Sequence, residues 1–152
     1  LKQINLYSDG SSLGNPGPGG WGTILQYQGK TKELSGASAN TTNNQMELQG
    51  VIEGLKALKE PCDVTIYSDS KYVVQAINEW LSNWQKNGFK TAAKKSIKNY
   101  ELWQEYLKVS KPHTIHAIWV KGHNGHEQNE RCDDLARTQA ENLQLQQRSI
   151  HE

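Results

Sequence analysis

Apolar positions along this chain first alternate with a period of two and then recur at helical spacing. Ile4, Leu6 and Ser8 alternate with Asn5, Tyr7 and Asp9, which predicts a first strand ending at a carboxylate. Ser11 to Gly20 is rich in Gly and Pro and predicts a turn. Trp21 to Gln28 and Lys32 to Ser38 predict two more strands, joined as a hairpin around Gly29-Lys30. The first three strands are therefore expected to be antiparallel neighbours. Thr41 to Asn44 supplies N-cap side chains, and Leu48, Val51, Ile52, Leu55 and Leu58 follow at helical spacing. Glu47 falls in the first turn, where the helix dipole favours an anion. Pro61 closes that helix, and Val64 to Ser68 reads as a buried strand leading into Asp69.

Tyr72, Val73, Ala76 and Ile77 predict a further helix, extended by Trp80, Leu81 and Trp84 and broken at Asn87-Gly88. Tyr100, Leu102, Trp103, Tyr106 and Leu107 predict another, ended by Lys111-Pro112. Ile115 to Val120 is a fifth strand, Lys121 to Gln128 a polar loop, and Asn129 to Ala140 a last helix. Residues 142–152 read as a frayed tail on one domain spanning residues 1–141. The order βββαβα, a basic insert, then αβα predicts an α/β fold: a five-stranded mixed sheet with helices on its faces.

Composition narrows the class. With 152 residues, 35% hydrophobic and 22% charged, the chain fits one soluble domain with a real core. No apolar run approaches the roughly 18 residues needed to span a membrane. The N-terminus lacks a signal-like apolar core, so cytoplasmic residence is expected. Cys62 and Cys132 form no CxxC pair and read as two buried, reduced thiols. The net charge of +1 hides an asymmetry: residues 80–100 carry five lysines (Lys86, Lys90, Lys94, Lys95 and Lys98) and no acid, so the remainder carries −4. An acidic body with a basic protrusion suits a protein that gathers metal in one place and grips phosphates in another.

Asp9, Glu47, Asp69 and Asp133 each sit where a predicted strand ends or within the opening turns of a predicted helix, which is where α/β sites are built. Four carboxylates on one face repel one another. Hard divalent cations offset that repulsion, and a pair of them is the usual apparatus for phosphodiester cleavage. Gly17 to Gly22 matches a GxGxxG string, but it opens a strand rather than a helix and reads as a turn. The spacing of His123, His126 and Cys132 fits no common structural zinc pattern, and His123 reads better as a proton carrier near the carboxylates. Trp80, Trp84, Phe89 and Trp103 surround the lysines, a combination suited to a sugar–phosphate backbone; Trp103 is expected in the core and Trp80 partly exposed.

The stretches Tyr7 to Ser11, Leu13 to Gly20, Thr41 to Leu48, Tyr67 to Ser70, Trp119 to His123 and Asn129 to Asp133 resemble the type 1 ribonuclease H family, over about residues 2–140. The basic insert is similar to that of the bacterial form. The resemblance implies endonucleolytic cutting of the RNA strand of an RNA–DNA hybrid, leaving 3′-hydroxyl and 5′-phosphate ends. It implies two Mg²⁺ ions, with Mn²⁺ as an alternative, held by Asp9, Glu47, Asp69 and Asp133, Asp9 bridging both. His123 matches a mobile-loop histidine. Gly10, Asn15, Asn43, Glu47 and Lys71 match residues lining the RNA side, while Thr42 and Asn99 match a DNA-phosphate pocket and Trp80 a residue beside DNA sugars. Lys86, Lys90, Lys94 and Lys95 are expected to grip the hybrid. Two departures stand out: few basic residues precede Gly88, and Lys71 stands where relatives often carry Gln. A monomer with no obligate protein partner and no membrane association is expected. The rival readings are a different nuclease or strand-transfer enzyme on the same architecture, and a hybrid-binding module without catalysis.

Overall fold

The computed structural model describes residues 1–90, 96–121 and 127–151. Five strands form one sheet: β1 (Lys2–Ser12), β2 (Gly17–Tyr27), β3 (Lys30–Thr41), β4 (Cys62–Ser68) and β5 (Thr114–Trp119), in the spatial order β3-β2-β1-β4-β5. The first three strands are antiparallel, and β4 and β5 add in parallel to β1. The sheet is thus mixed, as the hydrophobic pattern predicts.

Two boundaries differ from that pattern. β1 does not end at Asp9 but runs to Ser12, because Gly10, Ser11 and Ser12 keep pairing with Trp21, Gly20 and Gly19. The Gly/Pro-rich turn shrinks to residues 13–16 and contains a cis Asn15–Pro16 peptide bond. The β2–β3 turn falls on Gln28-Gly29, one residue early, with both φ angles positive at 48° and 81°. That backbone matches the twist of the flanking strands, which is why two-residue hairpins favour it.

α1 (Asn43–Lys56) starts at Thr42, whose side chain accepts from the Gln45 backbone while the Gln45 side chain accepts from the Thr42 backbone. The two bonds satisfy donors that a helix start otherwise leaves orphaned. Leu48, Val51, Ile52 and Leu55 of α1 join Leu6, Val64 and Ile66 of the sheet in the main core. α2 (Lys71–Gln75), a π-helical turn (Ala76–Trp80) and α3 (Leu81–Lys86) follow one another directly. The π turn leaves no trace in the apolar spacing. α4 (Tyr100–Ser110) buries Trp103 and Tyr106 in the same core, and Trp80 stays half-buried, as expected of both tryptophans.

α5 (Glu127–His151) covers the opposite face, where Cys132 packs against Tyr7 and Ile24. It is longer than the spacing predicts at both ends. Residues 142–151 are helical rather than frayed, since no Gly or Pro interrupts residues 127–151 and Leu, Gln and Arg are good helix formers. Leu145 and Ile150 remain exposed on this overhang. Cys62 and Cys132 are buried free thiols, as expected. Among the described residues no helix is long and apolar enough to cross a membrane.

Candidate active site

Parallel pairing sets Tyr7 of β1 beside Tyr67 of β4. Two residues further on, Asp9 within β1 and Asp69 just past the end of β4 come side by side. α1 then delivers Glu47 from its first turns. It can do so because Gly10 and Gly50 lack side chains: a Cβ at Gly10 would strike the Glu47 backbone nitrogen, and one at Gly50 would strike the Ser8 hydroxyl. One carboxylate oxygen each from Asp9, Glu47 and Asp69 lies within 4.8 Å of the others. These three form the floor of an open cavity of about 480 Å³, also lined by Gly10, Ser11, Asn43, Ser70, Lys71 and Asp133.

Asp133 reaches the cavity from the other side of the sheet. α5 sits close on β2 at Gly22, where a Cβ would collide with the Cys132 carbonyl. The Asp133 carboxylate accepts from Arg137 Nε at 3.0 Å, and Arg137 also pairs with Asp134. It therefore lines the cavity but stands outside the close triad.

The triad is electrostatically crowded. Burial, then the neighbouring Asp69 charge, pushes Asp9 up to about 7, although the Gly10 N–H donates to it at 2.9 Å. Burial, then Asp9 and Asp69, holds Glu47 well above the usual carboxylate range, against the opposing hydrogen bond from the Ser68 hydroxyl at 2.6 Å. Three acids so close, two of them buried, do not readily ionise together without a counter-charge. An all-oxygen donor set of this kind suits a hard divalent cation, so the residues present fit Mg²⁺.

The other sequence-derived candidates divide by location. Gly10, Asn43 and Lys71 line the cavity, and Asn43 accepts from the Ser12 backbone at 2.6 Å. Thr42 and Asn99 meet through Gln45, which bonds to both and whose side chain donates to Asn99 at 3.1 Å; Gln45 and Asn99 line a second cavity of about 380 Å³. Asn99 holds a left-handed conformation, with φ of 61°, and donates to the Tyr72 hydroxyl. Asn15 stands exposed in the β1–β2 turn, apart from the lining of the first cavity. Trp80 stacks obliquely between Tyr72 and Trp84, while Lys86 and Lys90 are exposed. His123, Lys94 and Lys95 lie outside the described residues.

Three residues escaped the sequence reading. Ser68 orients Glu47, Arg137 holds Asp133, and Trp119 donates its indole N–H to the Asp69 carbonyl at 3.1 Å. Ser68 and Trp119 fall inside the motif stretches without a role of their own, and Arg137 is signalled by its four-residue spacing from Asp133, which places an acid and a base on one helix face.

A family model for RNase H matches residues 1–141. The Ribonuclease H of Sulfurovum sp. is 61% identical over 142 residues, covering 93% of this chain and 93% of its own. That of Campylobacter curvus is 58% identical over 144 residues, covering 95% and 97%. The crystal structure of a type 1 RNase H with the type 2 active-site motif superposes with a TM-score of 0.84 at 32% identity, covering 94% of this chain and 74% of that one. Matched over nearly its whole length by relatives of this one kind, the chain belongs to the RNase H family and is a nuclease of that family.

Proposed function

We propose that this protein is an endoribonuclease that hydrolyses the RNA strand of RNA–DNA hybrids, leaving 3′-hydroxyl and 5′-phosphate ends. The observation that carries the reading is the convergence of Asp9, Glu47 and Asp69 within 4.8 Å at the floor of an open cavity. Asp9, Glu47, Asp69 and Asp133 would hold two Mg²⁺ ions, with Mn²⁺ as an alternative. Such ions, when bound, activate the attacking water and stabilise the leaving oxygen. The chain's own residues orient the ligands: the Gly10 N–H fixes Asp9, and the Ser68 hydroxyl fixes Glu47. His123 assists proton transfer in the reaction.

Strand choice rests on the 2′-hydroxyl, which only the RNA strand can offer as both donor and acceptor. Gly10, Asn15, Asn43, Glu47 and Lys71 read that strand. Thr42 and Asn99 seat a DNA phosphate, Trp80 lies against DNA sugars, and Lys86, Lys90, Lys94 and Lys95 grip the backbone from the protrusion. Residues 1–141 form the RNase H domain, and residues 142–152 are a tail to it. The protein acts as a monomer in the cytoplasm without an obligate protein partner.

The test is cleavage of an end-labelled hybrid in Mg²⁺, beside double-stranded RNA, double-stranded DNA and the Asp9→Asn variant. Cutting confined to the hybrid's RNA strand, and absent in Asp9→Asn, is expected. Cutting of plain DNA, or binding without cutting, would overturn the reading.

A further inference from the structure

Lys71 is the one basic side chain lining the carboxylate cavity among the described residues. It opens α2, where the positive end of a helix dipole does not favour a cation. Its surroundings explain how it is kept there. The Lys71 ammonium lies over the face of the Trp119 ring, 4.9 Å from the centroid. Register places Trp119 beside Ser68 at the end of β4, and its indole N–H donates to the Asp69 carbonyl at 3.1 Å. One side chain thus contacts both a carboxylate-bearing residue and the cavity's only described cation.

We infer that Trp119 is a positioning residue that holds the Lys71 ammonium at the cavity mouth, ready for a phosphate of the RNA strand. The inference rests on the hybrid-cleaving reading above. A free lysine side chain carries substantial rotamer entropy, which is lost when it meets a fixed phosphate. A ring face that already restrains the ammonium reduces that loss, and the ring quadrupole attracts the cation without neutralising it. Trp119 is 42% exposed, so its ring is not there merely to fill the core. In this chain a point charge held by an indole stands at the cavity rim, where it recognises phosphate without base preference.

The experiment is a double-mutant cycle on the full chain. Hybrid binding is followed by fluorescence anisotropy in the non-cleaving Asp9→Asn background, and kcat and KM are measured in the otherwise unaltered enzyme. Trp119→Leu should weaken binding and raise KM about two- to fivefold, with kcat nearly unchanged. Trp119→Phe, which keeps a ring face, should lie between. Lys71→Met should lower the slope of log affinity against log salt by about one. In the Lys71→Met background, Trp119→Leu should add nothing. Equal losses in both backgrounds, or a loss confined to kcat, would show that the indole acts through Asp69 instead and would overturn the inference. An upfield ring-current shift of the Lys71 ε-methylene protons, absent in Trp119→Leu, provides a check without substrate; its absence in the native protein would also overturn it. A native protein that cuts no hybrid would overturn the functional reading itself.

Discussion

At pH 8 the metal-free protein must hold the buried Asp9 carboxylate beside Asp69 and Glu47. The Asp9 pKa is raised to about 7, above the roughly 3.9 of an unfolded chain. A raised folded pKa contributes stability below the unfolded value that is lost as pH rises through the folded one. In EDTA, Asp9→Asn should therefore melt higher than the native protein at pH 8, by at least about 2–4 °C per kcal/mol relieved. The difference should vanish near pH 4, and a lower melting point at pH 8 would refute the repulsion. Arg137 poses a related question. Under the proposed assignment Asp133 exchanges a guanidinium for a metal. Exposed pairs of this kind contribute about 0–1 kcal/mol. Arg137→Ala should thus lower the Mg²⁺ midpoint for activity up to about fivefold. Titration of Mn²⁺ binding by calorimetry should move the same way.

Elements bring those residues together through close backbone approach. α1 and α5 lie on opposite faces of the sheet, each seated where glycine leaves space. Gly22→Ala should push α5 off β2 and cost about 1–3 kcal/mol in a denaturant melt. Its loss of cleavage should exceed what the unfolded fraction explains, because Asp133 moves with the helix. The β2–β3 turn predicts the opposite sign. Gln28 occupies a positive φ that Asn tolerates better, so Gln28→Asn should stabilise by up to about 1 kcal/mol. Much at this scale was legible in advance. Apolar patterning revealed all five strands, and the capping residues Thr41 to Asn44 marked the start of α1. The misread features lack a side-chain signature: Gly10 to Ser12 extend β1 through backbone pairing, and the π turn at Ala76–Trp80 keeps an ordinary apolar spacing. The α5 overhang differs because Leu145 and Ile150 face solvent rather than a core, although propensity alone favours a helix there.

Across the whole molecule, charge is segregated. The carboxylate cavity and the lysine-bearing protrusion belong to different segments, and residues 80–100 carry five lysines and no acid. Lys86→Gln with Lys90→Gln should weaken hybrid binding and lower its salt slope by about two; an unchanged slope would remove these lysines from the contact surface. This asymmetry was plain in the sequence, as were the four carboxylates. Partners that lie far apart in the chain were not: Trp119 reaches Asp69 across 50 positions, and only the parallel β4–β5 pairing makes them neighbours. That same distribution along the chain has a consequence during synthesis. Asp9, Glu47 and Asp69 emerge from the ribosome well before Asp133, which follows on α5. A nascent chain can thus assemble three ligands around β1, α1 and β4 before the fourth has been translated. Under the proposed assignment, the four-carboxylate set is therefore complete only once α5 has been translated.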